Sequence, residues 1–171
     1  GCLGHAPYRE VLTHGWVLDE KGLKMSKRLG NVVDPVAVCD KYGADILRLW
    51  AASVDSSDDM PCSDHLLEVA GEHYRRIRNT LRFLLANLSD YEGYEGEMLE
   101  IDNWVVSATD NLVQVALVFY QRYDFGKALK RIYEFCDQDL SAFYLDSIKD
   151  RIYCDGKDWS SRRSAQKACL H

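Results

Sequence analysis

Apolar positions divide the chain of 171 residues near position 62. Residues 8–18, YREVLTHGWVL, alternate loosely around Val11, Thr13 and Val17 and run into Asp19-Glu20-Lys21-Gly22. That pattern predicts a strand entering a hairpin turn. The next nine residues, from Leu23 to Asn31, lack an apolar period and sit between Gly22 and Gly30, which predicts a loop with backbone freedom. Asp34 directly before Pro35 predicts an N-cap with proline in the first turn, opening a short helix through Val36, Val38 and Cys39 to Gly43. A second helix starts at Ala44-Asp45 and carries Ile46, Leu47, Leu49, Trp50 and Val54. Residues 55–61, DSSDDMP, break regular structure and mark a domain boundary.

Beyond Ser63, a candidate N-cap, the period lengthens. Leu66, Ala70, Tyr74, Ile77, Leu81, Leu84 and Leu88 step by three or four and predict one long amphipathic helix. Arg75, Arg78 and Arg82 fall on its other side as a basic ridge. Residues 91–100 are rich in glycine and acid and predict a loop. Trp104, Ala108, Leu112, Val115, Phe119 and Tyr123 then mark a helix, Asp124 caps another, and Leu140, Phe143, Tyr144, Ile148 and Ile152 continue it. Residues 160–170 predict a last helix. The expected fold is mainly α: a short strand or hairpin with helices over 1–62, then a helical bundle over 63–171.

Charge narrows the partners. Twenty-one Lys+Arg against 27 Asp+Glu give a net charge of -6, so a nucleic-acid contact must use a local basic patch. No apolar run approaches a membrane span and no secretory signal is evident, which predicts a cytoplasmic protein without membrane contact. Cys2, Cys39, Cys62, Cys136, Cys154 and Cys169 are scattered, without ligand spacing, and are expected as free thiols with no metal site.

One segment carries residue types suited to chemistry. Lys24-Met25-Ser26-Lys27-Arg28 sets three cations and a hydroxyl on a glycine-flanked loop. Such a loop can clamp a polyphosphate, because ammonium and guanidinium groups stabilise charge growing on phosphate oxygens; a solvated basic turn has the same composition. Trp104, Phe119, Tyr120, Tyr123, Phe135, Phe143 and Tyr144 can stack on unpaired bases, although helical spacing favours a core role for most. Arg75, Arg78 and Arg82 suit a phosphate backbone or a solvated face equally. Arg162, Arg163 and Lys167 form a second candidate contact, or a frayed end.

The order of these residues adds a resemblance. Lys24-Met25-Ser26-Lys27-Arg28, followed by Leu29-Gly30-Asn31, resembles the KMSKS signature loop of class I aminoacyl-tRNA synthetases. His14-Gly15-Trp16, residues 31–35 (NVVDP) and residues 41–50 (KYGADILRLW) are similar to the branch handling isoleucine, valine and leucine. Residues 74–85 (YRRIRNTLRFLL) and 139–146 (DLSAFYLD) are similar to the helical region of isoleucyl-tRNA synthetases. The resemblance implies ATP as the nucleotide, with Mg in the intact enzyme, and isoleucine and tRNA-Ile as partners of a monomer. It further implies that Lys27 holds ATP phosphates, with Lys24 and Ser26 supporting the loop, Met25 anchoring it and Arg28 standing where the family usually has Ser. Residues 1–62 then correspond to the end of an α/β nucleotide-binding domain, and 63–171 to a helical stem and anticodon-binding bundle. Gly1 in place of a start methionine, and no H-x-G-H element around His5, His14, His65, His73 or His171, lead us to expect an excised stretch that does not form the adenylate alone. A free-standing helical RNA-binding module, or a valyl- or leucyl-type synthetase, is the alternative.

Overall fold

The computed structural model describes residues 4, 6–55 and 57–171, so the readings that touched Gly1, Cys2, His5 and Ser56 lie outside the described residues. In chain order the elements are β1 (Val17–Leu18), α1 (Pro35–Tyr42), α2 (Ala44–Ser53), β2 (Met60–Pro61), α3 (Asp64–Ala86), α4 (Glu100–Gln121) and α5 (Phe125–Glu134). A π-helical stretch, Phe135–Tyr144, then leads into α6 (Leu145–Ser147), α7 (Lys149–Tyr153) and α8 (Ser160–Leu170). The protein is mainly helical, as its periodicity predicts.

Local capping sets several of these ends. The Asp34 carboxylate accepts the Val36 N–H at 2.9 Å and Pro35 occupies the first turn of α1. Ser63 Oγ accepts the Leu66 N–H at 3.2 Å at the start of α3. Asp124 precedes α5 but caps nothing with its side chain, because its carboxylate takes Lys127 at 2.6 Å instead. Just before it, Tyr123 adopts φ 59, and the Asp124 N–H reaches back to the Phe119 carbonyl at 2.9 Å, closing α4 with a left-handed residue.

The strand expected over 8–18 shrinks to two residues. β1 pairs in parallel with β2, Val17 opposite Met60 and Leu18 opposite Pro61, rather than with a hairpin partner. The turn survives as hydrogen bonds between Asp19 and Leu23 and one antiparallel bridge, Leu18 to Lys24. Extended backbone needs a ladder partner, and the one used here lies more than 40 residues away and is itself two residues long. Gly15 permits that crossing: a Cβ there would sit 2.2 Å from the Asp58 carbonyl oxygen.

Two apolar clusters hold the molecule. The first gathers Val38, Ile46 and Trp50 from α1 and α2 with Cys62, Leu67 and Ala70, and Met25 packs against it. The second gathers Val105, Phe135, Tyr144, Leu145, Ile148, Ile152, Ala165 and Ala168, with Phe83 and Leu84 alongside. Helix α3 serves both, first against α2 and further along against the π stretch and α8. Its buried face therefore differs from the predicted stripe: Leu67, Ala70, Gly71 and Thr80 are buried, whereas Leu81 is half exposed. Partners at two azimuths pull the buried line away from any single helical period. No helix among the described residues is long and apolar enough to cross a membrane.

Candidate functional site

The basic loop is pinned at its base by two side chains. Asn31 Oδ1 accepts the Ser26 N–H at 2.8 Å, and Asn31 Nδ2 donates to Asp19 Oδ2 at 2.8 Å and to the Lys24 carbonyl at 3.4 Å. Asp19 Oδ1 in turn accepts the N–H groups of Leu23 at 2.8 Å and Lys21 at 2.9 Å. The Asn31 amide, and then the Leu23 N–H, hold the Asp19 carboxyl below its ordinary value. Within this clasp the Leu29 N–H reaches Ser26 Oγ at 3.2 Å, which turns the chain tightly around Lys27 and Arg28. Met25 is half-buried and packs against the first apolar cluster.

The three cations stand differently. Lys24 Nζ lies 3.2 Å from the centroid of the Trp16 ring, a cation–π contact that parks it beside β1. Lys27 and Arg28 are exposed on the turn, and among the described residues neither forms an ion pair. Ser26 points its hydroxyl into the loop itself, so it serves the loop's shape. Sequence order identified the loop. The clasp between Asp19 and Asn31, and Trp16 beneath Lys24, were invisible to it, because they join residues 12 and 8 apart through side-chain geometry.

On α3, Arg75, Arg78 and Arg82 are exposed and unpaired among the described residues, while Arg76 turns away and holds Asp137 at 2.6 Å. At about 100° per residue, Arg75 and Arg82 project within roughly 20° of each other and Arg78 about 60° away. These three arginines therefore lie along one side of α3, which the exposed Glu68, seven residues before Arg75, shares. The second candidate contact dissolves: Arg162 pairs with Asp90 through 2.6 and 3.2 Å bonds, and Arg163 donates to the Asp90 carbonyl at 2.5 Å. Their side chains are only 13% and 12% exposed, so they fasten α8 to the turn after α3 instead of facing a ligand.

The aromatic candidates divide. Phe135 and Tyr144 are core, while Trp104 and Phe143, 40% and 50% exposed, meet edge to face at 5.1 Å on the surface. Tyr120 and Tyr123 are similarly open. His73 packs its ring against Tyr133, the centroids 4.0 Å apart.

Behind this surface lies a polar knot that periodicity does not reveal. The Asp102 carboxylate, wholly buried, accepts Tyr144 Oη at 2.8 Å, Arg151 at 3.1 and 2.6 Å, and Ser164 Oγ. Burial, with the Asp102 charge adding to it, pushes the Tyr144 phenol well above its ordinary value, and burial pushes the Cys169 thiol up to about 12. The knot ties α4, the π stretch, α7 and α8 into one unit. Among the described residues no three His, Cys, Asp or Glu side chains gather as a metal site.

Two family models match separate stretches of the chain. Residues 2–63 match the family of tRNA synthetases class I (I, L, M and V), and residues 102–171 match the anticodon-binding domain of tRNA ligase. The isoleucine–tRNA ligase of Bordetella petrii is 49% identical over 99% of this chain, and that of Neisseria meningitidis serogroup A is 50% identical over all of it. The chain spans 19% of the length of each of these relatives. Among solved structures, the LeuRS-tRNA-LeuAMS ternary complex of Agrobacterium radiobacter K84 superposes on 91% of this chain with a TM-score of 0.70 at 20% identity, using 19% of that chain. The methionyl-tRNA synthetase of Mycobacterium tuberculosis with methionyl-adenylate covers 91% with a TM-score of 0.68 at 21% identity, using 31% of that chain.

Proposed function

Because the chain belongs to the class I aminoacyl-tRNA synthetases of the isoleucine–tRNA ligase kind, joining the end of a catalytic domain to an anticodon-binding domain, we propose that it supplies two working parts of tRNA-Ile aminoacylation. Residues 1–62 present the phosphate loop, residues 63–171 grip the tRNA, and α3 joins them.

The observation that carries the first part is a pair of exposed cations, Lys27 and Arg28, unpaired among the described residues, at the tip of a loop whose base is fixed by Asp19 and Asn31. When the isoleucine carboxylate attacks the α-phosphorus of ATP, the bond to the β-phosphate oxygen breaks and pyrophosphate leaves with the charge. Lys27 and Arg28 take up that charge; arginine at position 28 adds a bidentate donor where the family has a hydroxyl. Lys24 joins them by leaving the Trp16 face as the loop closes over the nucleotide, and Met25 keeps the loop on its apolar seat. Residues 24–28 offer cations and no carboxylate, so their donor set does not suit a divalent ion.

The second part is the ridge of Arg75, Arg78 and Arg82, which supplies a local positive surface to the tRNA backbone on a protein of net charge -6. Aminoacylation then passes the isoleucyl group from the adenylate to the tRNA 3′ end. The protein works as a cytoplasmic monomer. The test is a chimera in which these 171 residues replace the matching stretch of the Neisseria meningitidis ligase. It should retain isoleucine-dependent ATP–pyrophosphate exchange and charge tRNA-Ile; a folded chimera that does neither overturns the proposal.

A further inference from the structure

Backbone hydrogen bonds hold one aromatic ring and one ammonium against each other at the foot of the phosphate loop. The Trp16 N–H donates to Asp59 Oδ1 at 2.8 Å and its carbonyl accepts the Met60 N–H at 2.7 Å, so both backbone groups of Trp16 are fastened to the start of β2. Lys24 sits opposite Leu18 in the antiparallel bridge, and the Met25 N–H reaches the Val17 carbonyl at 3.4 Å. Residues two apart on extended backbone share a face, so this pairing lays the long Lys24 side chain diagonally across the exposed Trp16 ring, its Nζ 3.2 Å from the centroid. Two carboxylates close by in the fold are engaged elsewhere, Asp59 by the Trp16 N–H and Asp19 by Asn31 and the N–H groups of Lys21 and Leu23. Among the described residues the Lys24 ammonium pairs with no carboxylate. Its resting partner is a ring face, a weaker hold than the charge-assisted hydrogen bond that a phosphate oxygen gives.

We propose that Trp16 is a positioning residue for the ATP step, a latch whose ring keeps Lys24 off the loop tip until a polyphosphate draws the ammonium away. This inference rests on the reading of the loop as a phosphate clamp. The hydrogen bonds that fix both backbones survive the exchange, so only the four-carbon side chain of Lys24 swings. What is lost at each encounter with ATP is the cation–π contact, which at an exposed site is worth about two- to five-fold in an equilibrium. The ring therefore works against ATP by that factor, and removing it strengthens the step instead of damaging it.

Two measurements test this. In the chain of 171 residues, the Lys24 ε-methylene protons, identified as the signal that Lys24→Arg removes, should stand upfield of their random-coil position through the Trp16 ring current, and Trp16→Leu should return them to it. Lys24 protons at the random-coil position in the parent overturn the proposal. In the chimera with the Neisseria meningitidis ligase, Trp16→Leu should raise kcat/KM for ATP in isoleucine-dependent pyrophosphate exchange about two- to five-fold, and Trp16→Phe, with its weaker ring face, should fall between Trp16→Leu and the parent. A ring with only a structural role would lower kcat/KM when removed. A folded Trp16→Leu chimera at or below the parent's kcat/KM overturns the latch and leaves the phosphate clamp standing; where Trp16→Leu does not fold, Trp16→Phe decides in the same way. A parent chimera without exchange overturns the phosphate clamp and the latch with it.

Discussion

Replacing Arg151 by Met removes the cation from the buried knot while nearly keeping its volume, and the structure sets the size of the effect. Asp102 has no solvent exposure and Arg151 is 16% exposed, so the substitution strands an ionised carboxylate that keeps only the Tyr144 and Ser164 hydroxyls. Breaking a buried pair from one side costs about 3–5 kcal/mol. Partial water access to the Arg151 position puts this case near the lower figure, about 3 kcal/mol. For a chain of this length that lowers the melting temperature by roughly 6–12 °C. Urea denaturation followed by circular dichroism measures it directly. Adding Asp102→Asn to Arg151→Met removes the stranded charge and retains an acceptor for Tyr144, so the double variant should recover about 1 kcal/mol or more over the single one. A single variant within 1 kcal/mol of the parent, or a double variant less stable than the single, refutes the view that this pair is what locks α4 to α7 and α8.

Three further predictions concern the loop, the ridge and the last helix. Asn31→Ala should speed hydrogen exchange at the Ser26 amide about ten-fold and open Lys24, Lys27 and Arg28 to trypsin, with amides of α4 unchanged; unchanged Ser26 exchange would remove Asn31 from the clasp. Arg75→Ala, Arg78→Ala and Arg82→Ala together should lower the slope of log K against log salt for tRNA-Ile binding by roughly 2–3, at about 0.7–0.9 per phosphate contact; an unchanged slope excludes the ridge. Arg162, and then the Gln166 amide, hold the Asp90 carboxyl well below the usual carboxylate range. Its contribution to stability is therefore complete above the unfolded value near about 4 and is lost as pH falls through the lower folded value. Asp90→Asn should flatten the acid limb of a stability–pH profile, and a limb of unchanged steepness would contradict the assignment.

What could be read from the sequence was local. Asp34-Pro35 and Ser63 announce their helix starts because capping is decided within three residues. The loop residues stand out by type and order. The strand over 8–18 failed because its partner is set by a crossing at Gly15 and Asp58, which no local pattern encodes. The α3 stripe drifted because the helix changes partners midway. The π stretch hides in an ordinary helical period, yet its wider turn accompanies the Asp137 contact with Arg76 and the Tyr144 contact with Asp102. Arg162 and Arg163 looked free because Asp90, more than 70 residues away, is what occupies them.

The central claim is that Lys27 acts on the phosphates during adenylate formation, and the chimeric ligase tests it most directly. With Lys27→Ala, kcat for isoleucine-dependent ATP–pyrophosphate exchange should fall about 100- to 1,000-fold, the loss typical of one preorganised charge-stabilising donor, while KM for isoleucine stays within about two-fold. A Lys27→Ala chimera that exchanges at the parent's kcat would contradict the account.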